Sequence, residues 1–280
     1  MPGPKRLDPS SSPRAFLGAE LRHRREAAGL TQEDLGAPLF VSGSFIGQLE
    51  SGTRRMQLDQ ARRLDEILTK DGFFARNCAA LQKSKYPDHF AEAAEAEAVA
   101  VEIREYAVLL IPGVLQTEAY AYAVFRGGLP TAPQERIDHL VRARLERSAL
   151  LDDPTTPLFW AILDEAVLRR ETGGRAVMAE ALRHVVTLAR TNRVIVQVLP
   201  FSAGSHTALE GSLKLMSFAD APPLAYLQGL GTGRLEDSPA AVRQYELTYD
   251  LLAASAMSPD ASLAMVESVA EDYSHEDLQD

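Results

Sequence analysis

Between Phe16 and Leu81, apolar residues recur at helical spacing in five short runs, each bounded by a residue that starts or stops a helix. Leu17, Leu21 and Ala28 fall on the inward side of a helix over 16–28, and Gly29 can end it in the left-handed conformation that glycine tolerates. Thr31 is placed to cap a second, short helix carrying Gln32, Glu33, Asp34 and Leu35, which Pro38 keeps from running on. Ser42 caps a third, with Phe45, Ile46 and Leu49 on one face and Gly43, Ser44, Gly47 and Gln48 on the other. Leu58, Ala61, Leu64, Ile67 and Leu68 mark a fourth helix, and 73–81 a fifth. The pattern predicts a five-helix bundle over 14–82.

An Ala/Glu run at 91–98 then predicts a helical connector over 83–100, because both residue types are strong helix formers. From Val101 the periodicity changes. A strand or buried segment is predicted over 103–110 and strands over 157–163, 194–199, 212–218 and 224–228; helices over 116–125, 133–151, 176–190, 239–256 and 259–269, with a short one ending near Arg170. Strands and helices mix without strict alternation, which favours an α+β domain over 101–273, with a tail at 274–280. Residues 1–13, rich in Pro and Ser, read as a disordered arm whose basic residues are Lys5 and Arg6. The expected fold class is mainly α with α+β.

The net charge of −10 divides unevenly: residues 1–70 carry 11 Lys and Arg against 9 Asp and Glu, a balance of +2, while the rest carries −12. A chain so acidic cannot rely on a broad basic field to hold nucleic acid; local arginines and pairing of subunits must supply affinity. The 46% hydrophobic content and 280-residue length suit two domains of different size. No run of about 18 apolar residues occurs and the first residues lack the apolar centre of a signal peptide, so a cytoplasmic protein without membrane contact is expected. The lone Cys78 excludes an intrachain disulfide and any cysteine-rich zinc site, and reads as apolar filler.

The residues from Leu30 to Gly52 read as a helix-turn-helix for the DNA major groove. Thr31-Gln32, Ser42 and Glu50-Ser51-Gly52, preceded by Arg25 to Gln32, resemble the Cro/repressor (xenobiotic-response-element) family of helix-turn-helix domains over residues 14 to 70. Further on, the segments 110–120 and 196–206, with Leu163 to Arg170 as a third, resemble the DUF5753 type of C-terminal domain that accompanies such domains in actinobacterial regulators, as in Streptomyces. The second resemblance implies a neighbouring DUF397-type partner protein but no established ligand or activity.

These readings name the site. Gln32, Ser44 and Gln48 are the candidates for contact with bases, since a glutamine amide donates and accepts at once and so matches adenine in the major groove. The first resemblance implies base contact from the positions of Gly43, Ser44 and Gln48; Gly43 has no side chain, which shifts weight to backbone approach or DNA shape. Ser42 opens the same helix, and Arg54 and Arg55 come just after it, where phosphates are expected. The resemblance also implies a partly buried ion pair between Arg25 and Glu50. Asp164, Glu165, Phe201 and His206 are candidates for a ligand or partner pocket. No HExxH, GxSxG, P-loop or GxGxxG pattern supports an enzyme, and no cofactor or metal is expected. The expectation is a transcriptional regulator, homodimeric on a pseudopalindromic operator in double-stranded DNA, whose acidic domain answers to a small-molecule effector or a partner protein. The rival is an antitoxin-like or scaffolding protein that mainly holds a small cognate partner.

Overall fold

The computed structural model describes residues 13–69, 71–80 and 88–275. The expected arm at 1–12, with Lys5 and Arg6, the first residues of the expected connector and the tail at 276–280 lie outside the described residues. The chain forms two compact units, one of 1–100 with 217–224 and 235–243, the other of 101–216, 225–234 and 244–280.

The first unit contains α1 (Pro13–Ala27), α2 (Gln32–Gly36), a 3-10 turn through Pro38, α3 (Gly43–Glu50), α4 (Leu58–Leu64), α5 (Phe73–Ala80) and α6 (Asp88–Glu97). Leu17, Leu21, Leu35, Ile46, Leu49, Leu64 and Phe74 close one core, with Cys78 buried among them. Gly29 ends α1 at φ +70°. At Gly18, α1 and α3 meet so closely that a Cβ would collide with the Glu50 carbonyl oxygen. Two inward assignments are corrected. Ala28 is exposed, because α1 stops one residue before it. Ile67 is 37% exposed: a π-helical turn at Asp65–Thr69 widens the end of α4 and turns Asp65 inward instead. Its carboxylate accepts hydrogen bonds from the Phe74 and Ala75 amides, both 2.8 Å, and so caps α5.

The stretch read as a connector is, over 88–97, a helix of the first unit. Ala91, Ala93, Ala94 and Ala96 of α6 are buried.

The remaining elements are β1 (Glu102–Ala107), α7 (Glu118–Gly128), α8 (Gln134–Ser148), β2 (Leu158–Asp164), α9 (Glu165–Arg169), α10 (Arg175–Arg190), β3 (Val194–Leu199), β4 (Ser212–Ser217), β5 (Leu224–Gly229), β6 (Thr232–Glu236), α11 (Pro239–Ser255) and α12 (Pro259–His275). One six-stranded sheet runs in the order β3-β2-β1-β4-β5-β6. β1 and β2 pair in parallel from Glu102↔Leu158 to Ala107↔Leu163, and β2 and β3 from Phe159↔Val194 to Asp164↔Leu199. Helices cross over between these strands, as parallel pairing requires. The links from β4 to β5 and from β5 to β6 are too short for a crossover, so those neighbours run antiparallel. The mixed α+β expectation holds; the structure adds a parallel half and the strand β6. The predicted strand at 103–110 ends at Ala107, and Leu109 and Leu110 are exposed in the bend beyond it. Among the described residues no helix is long and apolar enough to cross a membrane.

Candidate nucleic-acid interface

The entry to α2 is fixed by a reciprocal cap. The Asp34 amide donates to Thr31 Oγ1 (3.1 Å) while the Thr31 hydroxyl (2.6 Å) and amide (3.0 Å) both donate to Asp34 Oδ2, and the hydroxyl first and the amide second hold the Asp34 carboxyl below its ordinary pKa. Ser42 caps α3 by accepting from the Phe45 amide at 3.1 Å. Between the two helices Phe40 takes φ 58°, a left-handed conformation unusual for a bulky residue, and is 89% exposed.

Glu50, at the end of α3, is fully buried and gathers the bundle around its carboxylate. Arg25 donates to it through Nε at 2.5 Å and a terminal nitrogen at 3.2 Å, Gln32 Nε2 at 2.9 Å and Arg22 Nε at 3.4 Å. The Glu50 bond is the main reason the Arg25 guanidinium lies above its ordinary pKa, and Arg25 also holds the Leu30 carbonyl oxygen at 2.8 Å. Gln32 thereby lies against α3: a Cβ on Gly47 would meet its Oε1 at 3.2 Å, and one on Gly43 would meet Glu33 Oε1 at 2.5 Å. Both glycines make room for α2 side chains.

The polar face expected to be open is covered in this conformation. Gln48 has no exposure at all, and Ser44 is half-buried. Ser44 Oγ and Gln48 Nε2 are shielded from solvent without a hydrogen-bond partner, a state that costs about 1 to 3 kcal/mol for each group. Part of the cover is Arg54, whose guanidinium carbon stands 4.3 Å from the centre of the Phe45 ring and whose terminal nitrogen is 3.5 Å from Gln48 Oε1. Sequence reasoning could not see this, because Gln48 obeys the helical rule for an outward position, and what covers it, Arg54 among others, is set by the fold.

Arg54 and Arg55 meet carboxylates. Arg54 reaches Asp237 Oδ2 at 3.1 Å and Glu92 Oε2 at 3.6 Å, and Arg55 reaches Glu95 Oε1 at 3.7 Å. Arg14 joins the same Glu95 at 3.4 Å, and Gln57 Nε2 donates to Glu92 at 2.5 Å. The two arginine side chains keep 13% and 12% of their exposure. Burial raises the Asp237 carboxyl above its ordinary pKa, against the opposing pull of Arg54. No local pattern marked Asp237, Glu92 or Glu95; only their charge sign was legible.

The other candidates cluster in the second unit. Asp164 ends β2, accepts from the Ala166 amide at 2.9 Å as the cap of α9, and accepts from the Tyr106 hydroxyl at 3.1 Å. His206 Nε2 is 3.4 Å from the same hydroxyl, while its Nδ1 accepts from the Ala208 amide at 3.3 Å, which leaves Nε2 to carry the proton. Glu165 Oε2 accepts from the Phe201 amide at 3.0 Å. Asp164 and His206 are thus joined by Tyr106, which sequence reasoning had placed only inside a strand, and Glu165, next in the chain to Asp164, holds Phe201; burial and the Asp164 charge push the Tyr106 hydroxyl pKa up. Each group is satisfied by another. A concavity lies elsewhere among the described residues: a groove of about 1070 Å³ between α7, α8 and α10, with Tyr122, Val141, Leu145 and Val177 in its wall and Arg126 and Asp138 among its charges. Among the described residues no three His, Cys, Asp or Glu side chains converge as metal ligands.

Over residues 17–72 the chain matches a family of helix-turn-helix domains, and over 90–268 a family described as a domain of unknown function, DUF5753. The second match takes in most of the chain. The chain belongs to the DUF5753 family. No curated protein and no solved structure matches it. The helix-turn-helix match runs from within α1 past α4 and takes in Arg54 and Arg55, whereas Glu92, Glu95 and Asp237 fall in the DUF5753 match.

Proposed function

We propose that this DUF5753 protein is a sequence-specific, double-stranded-DNA-binding transcriptional regulator. The observation that carries the reading is the helix-turn-helix match over 17–72, laid on a capped α2, a turn and a capped α3. Gln48 and Ser44, with Gln32 bracing α3, read base edges; the backbone at Ser42 and Gly43 approaches the duplex; Arg54 and Arg55 take phosphates. A homodimer sets two such helices about 34 Å apart on a pseudopalindromic site. The groove between α7, α8 and α10 supports an effector or partner role for the second unit, because a concave, partly apolar surface with a few charged groups is what such ligands occupy.

Selection of bound duplexes from random DNA, with footprinting of the enriched sequence, returns a two-fold symmetric site. Gln48→Ala with Arg55→Ala weakens binding to it by about 100-fold or more, since two lost contacts of about 1 to 3 kcal/mol add in each half-site. No enriched sequence, or a double variant that binds as tightly as the original protein, sets the reading aside.

A further inference from the structure

The polar atoms of the reading face are covered, and the two arginines beside it are paired with three carboxylates. We infer that Glu92, Glu95 and Asp237 form an internal clamp that stands where DNA phosphates would stand, holding Arg54 and Arg55 and keeping the α3 face closed until the clamp is released. The inference rests on the DNA-binding reading above.

A carboxylate and a phosphate offer a guanidinium the same thing, oxygen acceptors able to take paired N–H donors. Arg54 has Asp237 on one terminal nitrogen at 3.1 Å and Glu92 beside the other at 3.6 Å, so both ends of its guanidinium face carboxylates of the protein where phosphate oxygens would otherwise stand. Arg55 has Glu95 at 3.7 Å. The carboxylates are themselves tied down: Gln57 holds Glu92 and Arg14 holds Glu95. Arg54 lies over Phe45 with a terminal nitrogen 3.5 Å from Gln48 Oε1, and Gln48 has no exposure. Its Nε2, and Ser44 Oγ, stay without partners. Base edges supply the acceptors and donors those two atoms lack. The closed state therefore withholds hydrogen bonds that DNA can provide, which makes the clamp reversible rather than a permanent part of the core. All five charged residues of the clamp, and Gln48, lie within one compact unit. The carboxylates come from the DUF5753 match and the arginines from the helix-turn-helix match, so whatever binds the former has a direct route to the latter.

The test uses the full chain and the duplex selected above. The triple variant Glu92→Gln, Glu95→Gln, Asp237→Asn is compared with the original protein and with a control that removes equal charge from exposed Glu135, Glu171 and Glu271 by substitution to Gln. The expected result is about a tenfold gain in affinity for the triple variant and at most a twofold gain for the control, with a steeper loss of binding as salt rises, because freed arginines now displace counterions. Equal affinity of the triple variant and the original protein overturns the clamp and leaves the DNA reading standing, as does a control that gains as much as the triple variant. No binding by any of the proteins, all folded by circular dichroism, overturns both. If the triple variant is unfolded, Asp237→Asn alone carries the test: it is isosteric and removes a charge that its buried site disfavours, and a gain of about threefold is expected, with no gain counting against the clamp.

Discussion

A carboxylate taken wholly out of water must have its charge met by donors, or it would be protonated or expelled. Glu50 meets this condition with four donors from Arg25, Arg22 and Gln32, and so it ties α1, α2 and α3 at one point. Glu50→Ala strands the Arg25 guanidinium at that point. The expected cost is about 3 to 5 kcal/mol, read as a lowered urea midpoint, and any loss of DNA binding in that variant tracks the loss of fold. His184 on α10 makes the opposite case. Burial pulls its pKa below the ordinary 6.5, with Glu180 pulling weakly the other way. The folded state therefore binds fewer protons than the unfolded one between that lowered value and 6.5. Its contribution is complete above pH 6.5 and is lost as pH falls through that window. Thermal denaturation from pH 7.5 down to 5 is expected to show a smaller loss of stability in His184→Gln than in the original protein; identical slopes would remove His184 as a source of the acid sensitivity.

At the scale of elements, caps decide where helices begin and how they are aimed. Thr31 and Ser42 are each the residue type that accepts from an unpaired amide, and each does so in the structure, which is why α2 and α3 were legible from the chain alone. α5 was legible as a helix but its cap was not, because the capping carboxylate of Asp65 arrives from the end of the preceding helix through a π-helical turn. Asp65→Ala removes two 2.8 Å bonds from the α5 amides and is expected to destabilise the bundle by about 1 to 2 kcal/mol, with faster hydrogen exchange at Phe74 and Ala75 than elsewhere in the core. β6 escaped sequence reasoning for a related reason: Gly229-Leu230-Gly231-Thr232-Gly233 reads as a loop, and only pairing along β5 makes its last part a strand. The hydrophobic run of β3 was plain, yet nothing in it told that β3 lies beside β2 in parallel rather than at some other place in the sheet.

At the scale of the whole molecule, the split of charge between +2 over residues 1–70 and −12 over the rest becomes specific only in three dimensions. The acidic part does not act merely as a diffuse field: Glu92, Glu95 and Asp237 are the carboxylates that meet the arginines, and the equal-charge control in the clamp experiment separates that pairing from the bulk effect. The sequence by itself determined the helix-turn-helix, its caps, its inward face and the α+β character of the larger C-terminal part, because those features depend on hydrogen bonds and periodicities that span a few residues. The tertiary structure alone decided that Gln48 is hidden, that Tyr106 joins Asp164 to His206, and that Arg54 is held by a residue 183 positions away. A side chain's local pattern states which face it leaves by; which distant group waits there depends on the path of the whole chain.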